Sequence, residues 1–373
     1  MMKKINSLTI LFLTTVVMLV LMLITLQAPS ENNDDNVVLF PELFEQLSVV
    51  DTLEFKSNQD EFTLYKEGED WFVKEHWGYP ADFNLVKRAL IDIAEAKILE
   101  RKTDNPDEFY ILGVEGIEDG GSSIQISMIG EQQQVAGLIL GKERELNQTG
   151  GARQFYVRRA GENNSWLAEG YLNLTPVMLN WIKSEVIDIA RERIAQVNII
   201  QPYGAGTATI VNTGNKDQFG TPEALDKTVF KYKQLGYDIA GSLFQLKLED
   251  VQPRSEFLRG SVDVVEAEFI TFDGLKVITK TSFDDGHYFT TISAEYDASL
   301  IKVAPEDIQA LELLKTPEQV QAEVAELNTQ LSPWVYRFAG FIGTNLMRAK
   351  EDMVTESNKV IPMPADVTGG FGS

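Results

Sequence analysis

The chain has 373 residues, a formal net charge of −23 and no cysteine. The charge argues against nucleic-acid binding, which needs a basic surface to neutralise phosphates. The lack of cysteine excludes disulfides, lipidation at a lipobox cysteine, thiolate metal sites and cysteine nucleophiles. The length is sufficient for two domains of ordinary size, each with its own hydrophobic core.

An uncharged apolar segment lies close to the N-terminus. Lys3 and Lys4 precede a run from Ser7 to Leu26 that contains no charged residue. As a helix rising ~1.5 Å per residue, this run spans roughly 30 Å, which is the thickness of a bilayer core. We expect residues 1–30 to form a cytoplasmic stub and a single-pass signal-anchor in a bacterial inner (cytoplasmic) membrane. Because the lysines stay inside, the remainder of the chain then lies in the periplasm or outside the cell.

Two alternatives to an uncleaved anchor are weaker. A cleaved signal peptide has an apolar region of ~7–15 residues and a small-x-small cleavage site. The best candidate site here, Leu26-Gln27-Ala28, has a bulky residue at the −3 position, and Pro29 would follow the cut. A buried helix of a soluble core would show a polar face, which the run lacks. The pattern therefore favours the anchor.

Two parts of the chain align weakly with each other, which predicts an internal duplication. Residues 61–68 align with 207–214, and both are alternating segments that enter a glycine-containing turn. At the same offset, Asp-Ile-Ala at 92–94 aligns with Asp-Ile-Ala at 238–240. Each half then shows the same order of expected elements: two strands, a short strand, a helix, a strand and a β-meander.

The expected fold class is α+β, with an N-terminal transmembrane helix followed by two related halves, each with antiparallel β-meanders and a packed helix. The expected parts of the chain are the stub and anchor (1–30), a juxtamembrane linker (31–47), the first α+β repeat (48–190), the second α+β repeat (191–303), C-terminal helices (304–353) and a disordered tail (354–373).

In the first half, apolar residues at helical spacing predict a helix over residues 83–96, with one face formed by Leu85, Ala89, Ile93 and Ala96. Alternating residues predict strands, and paired glycines at 120–121 and 150–151 predict turns. The expected strands are 50–56, 62–66, a short one from Trp71, 124–129, 135–140 and 155–159.

In the second half, the same patterns predict strands with turns at Asp273-Gly274 and Asp285-Gly286. The expected strands are 194–200, 208–211, 244–248, 262–272, 276–282 and 288–296. A Thr or Ser directly before Pro is typical of a helix start, because the hydroxyl caps the helix and proline fits its first position. Such pairs predict helices at 175–190, 222–239, 316–328 and 332–353.

The two histidines do not form a recognisable catalytic or metal motif. His76 lies in Lys-Glu-His-Trp, which lacks the second histidine of a zincin helix. His287 follows Asp284-Asp285-Gly286, a sequence that a hairpin turn requires for its own geometry. The alternative interpretation of this turn is a metal site, because carboxylates bind hard cations.

Two further patterns suggest chemistry that the local context does not support. Gly204-Ala-Gly206 resembles the start of a dinucleotide fingerprint, but it leads into a strand and not into a helix. Neither a Walker A motif nor a G-x-S-x-G nucleophile elbow is present. Neighbouring carboxylates are expected on solvated faces of so acidic a chain; the pairs are Glu42 with Glu45, Glu249 with Asp250, and Glu266 with Glu268. We therefore assign no catalytic, cofactor-binding or metal-binding residue.

The helix expected from Ser332 carries an apolar side that we expect to pack on the second meander. Its members are Trp334, Phe338, Phe341, Ile342 and Met347. Docking of this side onto a partner or onto the membrane is the alternative, which the nearby cations Arg337, Arg348 and Lys350 would support.

Several short motifs resemble a bacterial family of single-pass membrane proteins of unknown function. They are Leu-Phe-Pro-Glu-Leu at 39–43, Asp-Thr-Leu-Glu-Phe at 51–55, Asp-Trp-Phe-Val at 70–73, Tyr-Pro-Ala-Asp at 79–82, Phe-Tyr-Ile-Leu-Gly at 109–113 and Phe-Tyr-Val-Arg at 155–158. The resemblance extends from Leu39 to about Met353. It implies a duplicated periplasmic domain and genes that often lie beside ABC exporter components of the gliding-motility type, and it brings no catalytic residues.

The sequence and the resemblance together predict a membrane-anchored periplasmic accessory or binding protein. Its expected partners are the inner membrane, through the N-terminal helix, and envelope proteins such as ABC transporter subunits. Exposed strand edges would permit recognition by strand addition. The alternatives are an enzyme that acts on envelope polymers or peptides and a receptor for a small ligand, either of which would use a cleft between the halves.

Overall fold

The computed structural model describes residues 37–144, 152–222, 228–257 and 263–356. The expected anchor (1–30), the expected turn at Gly150-Gly151 and the part of the expected tail beyond residue 356 lie outside these ranges. Over the residues described, no helix has both the length and the apolar character needed to cross a membrane. The anchor therefore stays a prediction.

The chain folds into two compact units. Of the described residues, the first unit contains those up to Phe72 together with those of Phe83–Trp181, and the second contains Val73–Asp82 and those from Ile182 onward. The short segment Val73–Asp82 thus belongs to the second unit, although it interrupts the first in the sequence.

In the described ranges up to residue 181, the chain forms nine strands and three α-helices. The helices are α1 (Leu43–Gln46), α2 (Phe83–Glu95) and α3 (Phe109–Leu112). The strands are β1 (Thr52–Lys56), β2 (Glu61–Glu67), β3 (Asp70–Val73), β4 (Tyr79–Pro80), β5 (Lys97–Arg101), β6 (Ile124–Gly130), β7 (Gln133–Arg144), β8 (Arg153–Arg159) and β9 (Ser165–Gly170). They form an antiparallel sheet in the order β4-β3-β2-β1-β6-β7-β8-β9-β5.

The described residues from Ile182 onward contain eleven strands and five α-helices. The strands form a second nine-stranded sheet and a two-stranded sheet. The strands are β10 (Glu185–Ile187), β11 (Ile194–Ile200), β12 (Thr207–Asn212), β13 (Phe219–Gly220), β14 (Thr228–Phe230), β15 (Leu246–Pro253), β16 (Val264–Thr271), β17 (Leu275–Asp284), β18 (His287–Tyr296), β19 (Trp334–Phe338) and β20 (Val354–Glu356). The helices are α4 (Leu235–Ala240), α5 (Glu306–Gln309), α6 (Pro317–Leu331), α7 (Gly340–Met347) and α8 (Lys350–Met353). The large sheet has the order β10-β15-β19-β18-β17-β16-β11-β12-β13, and β14 pairs with β20.

The two large sheets share one strand order over eight positions. The first contains β3-β2-β1-β6-β7-β8-β9-β5 and the second contains β13-β12-β11-β16-β17-β18-β19-β15. The aligned segments 61–68 and 207–214 include β2 and β12, and the two Asp-Ile-Ala sequences lie in the last turns of helices α2 and α4. The α+β class with antiparallel sheets is confirmed. The common strand order is what a duplication would produce, and the exact repeat boundaries stay a prediction.

The core of the first unit is built on alternating residues and on helix α2. Phe55 and Phe62 face each other across β1 and β2 and stack with ring centroids 4.7 Å apart. Trp181 is fully buried against Phe55, and its indole N–H donates a 3.0 Å hydrogen bond to the carbonyl oxygen of Thr175. Helix α2 occupies the predicted position and buries Val86, Ala89, Leu90, Ile93 and Ala94.

Two predicted features of the second unit are confirmed in detail. The hydroxyl of Thr316 accepts the backbone N–H of Gln319, and the Gln319 side chain accepts the N–H of Thr316, so that a capping box begins α6. Asp285 and Gly286 both have positive φ and join β17 to β18 as a two-residue hairpin turn.

A buried ionic network fixes α6 to the second sheet. Arg193 precedes β11, Asp273 lies in the turn between β16 and β17, and Glu323 lies on α6. The guanidinium of Arg193 donates to Asp273 at 2.8 Å and to both oxygens of Glu323 at 2.8 and 2.7 Å. Lys315 adds a backbone N–H bond to Asp273 and an ion pair with Glu323 at 3.0 Å. The network thus joins three distant segments of the chain.

The helix expected at 175–190 is wrong. The hydroxyl of Thr175 accepts hydrogen bonds from Val177 N and from the side chain of Asn180, which makes a local turn. Ile182 then forms a bridge with Ala81, and Glu185–Ile187 forms β10. A Thr-Pro pair favours a turn as readily as a helix. Here the pairing of Glu185–Ile187 with β15 selects the extended conformation after the turn.

The helices expected at 222–239 and 332–353 are only partly correct. In the first, residues 223–227 lie outside the described ranges, Thr228–Phe230 pairs with β20, and the helix α4 begins at Leu235. The second contains α7 and α8 but begins with a strand. In the second, the β-branched and aromatic residues of Trp334–Phe338 form β19 between β15 and β18. The predicted tail is wrong for Val354–Glu356, which forms β20.

The apolar side expected on the last of these helices is therefore divided between elements. Phe338 is buried in β19, whereas Phe341 on α7 is 71% exposed. Helix α7 approaches the sheet at Gly343, where any side chain would clash with the ring of Tyr288. Core packing thus accounts for part of the predicted set only.

Candidate functional site

The glycines and the second histidine lie in ordinary turns. Gly204 and Gly206 have positive φ and precede β12, so they shape a turn between strands. His287 begins β18 directly after the Asp285-Gly286 turn and is exposed. In the parts of the chain that the structure describes, no group of three or more His, Asp or Glu side chains could hold a metal ion.

Most of the candidate carboxylates are solvated or ion-paired. Glu42 and Glu45 are exposed at α1. Glu266 lies 3.2 Å from Lys280, and Glu268 lies 3.7 Å from Lys276. These pairs are cross-strand contacts on β16 and β17, which fits a stabilising role on the surface of a sheet.

The structure brings His76 and Asp250 together within the second unit. His76 is 5% exposed, and its Nε2 lies 3.4 Å from Oδ1 of Asp250, within ion-pair distance but longer than a usual hydrogen bond. Arg337 on β19 lies 3.4 Å from the other carboxylate oxygen. The β15–β19 register shifts between Leu248 and Asp250, and this bulge re-aims the Asp250 side chain.

The electrostatics of this cluster favour the charged carboxylate. Burial alone would raise the pKa of Asp250, but the neighbouring His76, the hydrogen bond from the Val251 N–H and the charge of Arg337 outweigh it and lower the pKa. Asp250 thus accepts the Val251 N–H and lies beside the side chains of His76 and Arg337. We interpret the cluster as a tie that holds Val73–Asp82 to β15 and β19.

A pair of buried tyrosines adds to this tie. Tyr79 is hydrogen-bonded through its hydroxyl to Tyr336 on β19, and burial raises the pKa of both phenols. The ring of Trp334 lies edge-on to Tyr79, with centroids 5.0 Å apart. The backbone N–H of Lys183 donates to the carbonyl oxygen of Pro80 at 2.8 Å. The segment is therefore fixed along most of its length.

Replacing Tyr336 by phenylalanine should lower the free energy of unfolding of the second unit by about 1–3 kcal/mol, because the hydroxyl of Tyr79 is then buried without a partner. The double variant Tyr79→Phe/Tyr336→Phe should recover part of this loss, since neither polar group remains. Urea unfolding of the four proteins of this cycle measures the coupling. Additive effects of the two single changes would show that the hydroxyls do not interact.

Two adjoining depressions lie along one side of α2 in the first unit. The larger has a volume of about 530 Å³ and is lined by residues that include Val38, Pro41, Phe44 and Glu95. The smaller has a volume of about 470 Å³ and is lined by residues that include Arg88 and Arg153. Asp92 and Tyr171 line both. We call the two depressions together the α2 groove.

Four segments of the chain build the α2 groove: residues 38–44, helix α2 with Lys97, residues 152–153 at the start of β8, and residues 169–173. Leu43 of α1 is buried, so its neighbour Phe44 points outward and is 61% exposed. Tyr171 directly follows the end of β9 and is 66% exposed. The segment before α1 is held by hydrogen bonds from Leu39 N to the Ala96 carbonyl oxygen and from Arg159 to the Leu39 carbonyl oxygen. The groove therefore presents two aromatic side chains on a fixed backbone.

Carboxylates dominate the larger depression. Asp92, Glu95 and Glu169 line it together with one cation, Lys97. Within the described ranges, none of the three carboxylates has an ion pair or a side-chain hydrogen bond. Burial raises the pKa of Asp92 and the nearby Glu95 adds to this, whereas Arg88 opposes it. The larger depression thus combines exposed aromatic surface with an excess of negative charge.

Replacing Asp92 by asparagine should raise the melting temperature at neutral pH. The pKa of Asp92 is higher in the folded protein, so ionisation costs folding free energy, and this cost appears as the pH rises through the folded-state pKa. The gain should disappear at a pH below the ordinary pKa of aspartate, where both states are protonated. Melting curves across this pH range provide the measurement, and a variant less stable than the parent at neutral pH would contradict the account.

A protein-family model described as "Domain of unknown function (DUF4340)" matches residues 71–259, just over half of the chain. The match begins in β3, ends shortly after β15, and includes His76, Tyr79 and Asp250. No curated protein and no solved structure matches the chain. The chain therefore belongs to the DUF4340 family, whose function is unknown, and this confirms the resemblance to a family of unknown function.

Proposed function

We propose that the protein is a membrane-anchored periplasmic accessory protein that binds another envelope protein, a subunit of an ABC transporter, through the α2 groove. The anchor is the uncharged run near the N-terminus, and the link to a transporter comes from the family resemblance of the sequence motifs. Binding, and not catalysis, is the activity that we assign to the groove.

The observation that carries this proposal is the exposure of Phe44 and Tyr171 in one concave, rigidly framed site. Aromatic side chains are enriched at protein interfaces and supply most of the binding energy where they are desolvated by a partner. Isolated exposed apolar residues are common, and the presence of two large ones in a single depression supports a role in binding.

Site-specific photocrosslinking tests the proposal directly. A photoreactive phenylalanine analogue would replace Tyr171 in the full chain, which carries a C-terminal tag and is expressed in its native membranes. We expect irradiation to give a discrete adduct that contains a membrane protein. The matched control places the same analogue at Tyr203, which is 85% exposed in the second unit. An adduct of equal yield from both positions, or none from position 171, would contradict the proposal.

A further inference from the structure

The apolar part of the α2 groove requires a partner with an apolar side chain. Phe44 and Tyr171 are more than half exposed, and Val38 and Pro41 extend the same surface. An aliphatic or aromatic side chain placed against them would remove this area from water, at about 25 cal/mol per Å² of apolar surface. The apolar surface is small, so the fitting partner presents only a few such residues.

The carboxylates of the larger depression favour a partner that presents a cationic side chain. The larger depression has three carboxylates against the single ammonium of Lys97, and among the described residues none of the three lies within 4.0 Å of a cationic nitrogen, although Arg88 acts on Asp92 from farther away. The smaller depression contains Arg88 and Arg153, of which Arg153 is already paired with Glu143. Negative potential is thus concentrated beside the aromatic rings, where a Lys or Arg of a partner would be stabilised.

The position of the groove in the chain favours a partner that is itself in the membrane. The described chain begins at Val37, beside the groove, and the expected anchor ends near residue 30. Six intervening residues can span at most about 20 Å. A groove this close to the bilayer is within reach of the periplasmic loops and juxtamembrane segments of another membrane protein.

We infer that the α2 groove binds a cationic amphipathic segment of a membrane protein, with an apolar side chain against Phe44 and Tyr171 and a Lys or Arg beside Asp92, Glu95 and Glu169. This inference rests on the proposed function and adds the chemical class of the partner. It predicts affinity that depends on charge and on apolar contact together, and that falls with ionic strength.

Peptide binding to the full chain in nanodiscs of neutral lipid tests this inference. The probe is a fluorescein-labelled peptide in which Leu and Lys are spaced as in an amphipathic helix, and its anisotropy reports binding. The control peptides replace every Lys by Glu, or every Leu by Gly. We expect only the Leu/Lys peptide to bind, with an affinity that decreases as salt is added.

Variants of the protein locate the binding site. Glu95→Gln/Glu169→Gln should weaken binding about three- to tenfold, as expected for two partly exposed ion pairs. Tyr171→Ala should weaken it about thirtyfold, as expected for an interface aromatic. The matched control, Glu67→Gln/Glu69→Gln, removes two exposed carboxylates elsewhere in the first unit and should have no effect.

The outcomes separate the inference from the proposed function. The inference would be overturned if the Leu/Lys peptide did not bind, or if the Leu/Glu peptide bound equally well. It would also be overturned if the control variant weakened binding as much as the groove variants do. If the crosslink from position 171 nevertheless persists, partner binding at the groove stands and only the chemical class is wrong. Loss of the crosslink as well would overturn both.

Discussion

Replacing Arg193 by alanine is expected to lower the free energy of unfolding of the second unit by about 3–5 kcal/mol. The guanidinium is buried and holds the carboxylates of Asp273 and Glu323. Without it, the two carboxylates remain in a buried site, where Lys315 contacts both and the Thr271 hydroxyl donates to Asp273. Breaking such a network costs more than the network contributes, because an uncompensated buried charge is left behind.

The acid sensitivity of the protein provides an independent readout. Burial alone would raise the pKa of Asp273 and of Glu323, but the hydrogen bonds and charge of Arg193 lower both. The stabilisation they provide is therefore present above the ordinary carboxyl pKa and is lost as the pH falls through the lowered folded-state values. In the Arg193 variant, the decrease in the free energy of unfolding between neutral and acidic pH should therefore be smaller than in the parent.

Urea unfolding, monitored by the hydrogen exchange of backbone amides in β11 and α6, measures the loss of stability of the second unit. The control is Lys280→Ala, which breaks an exposed cross-strand pair with Glu266 and should cost at most about 1 kcal/mol. Similar losses for the two variants would mean that the buried network contributes no more than a surface pair.

Replacing Trp181 by alanine should destabilise the first unit by about 3–5 kcal/mol. The indole is fully buried, packs against Phe55 and donates its N–H to the carbonyl oxygen of Thr175. Its removal creates a cavity and leaves that carbonyl oxygen without its donor. Trp181→Phe should cost less, because the ring contact with Phe55 is partly kept.

Denaturant unfolding, monitored by the hydrogen exchange of backbone amides in β1 and β2, measures the decrease in the stability of the first unit. The control is Phe44→Ala, which removes a ring that is 61% exposed and should change stability by no more than about 0.5 kcal/mol. Equal effects of the two changes would contradict the assignment of Trp181 to the core. The same control shows whether variants of the α2 groove fold normally.

The sheets were predictable because their signals are local. Alternation of apolar residues placed most strands, and Asp285-Gly286 has the positive φ values that its hairpin turn needs. The capping box at Thr316 also depends on neighbouring residues only. The helix expected after Thr175 is wrong, and the helices expected after Thr221 and Ser332 begin later than predicted. A hydroxyl before proline begins turns as well as helices, and strand partners far away in sequence decide the outcome.

The candidate site was less predictable, because it depends on long-range contacts. His76 and Asp250 were both noted in the sequence, but their contact arises from a bulge in β15 that the sequence does not mark. The α2 groove was missed, since Phe44, Asp92 and Tyr171 come from three segments that no spacing relates. The outward Phe44 beside the buried Leu43 is the one local signal that could have suggested it.

Recovery of the partner from native membranes tests the central claim most directly. The full chain with a C-terminal tag, its Phe44→Ala/Tyr171→Ala variant and a Tyr203→Ala control would each be crosslinked in native membranes, purified and compared by quantitative mass spectrometry. We predict that an ABC transporter subunit copurifies with the parent and with the control, and that its yield falls at least about tenfold with the groove variant. Undiminished recovery with the groove variant, or recovery of no envelope protein by the parent, would contradict partner binding through the groove.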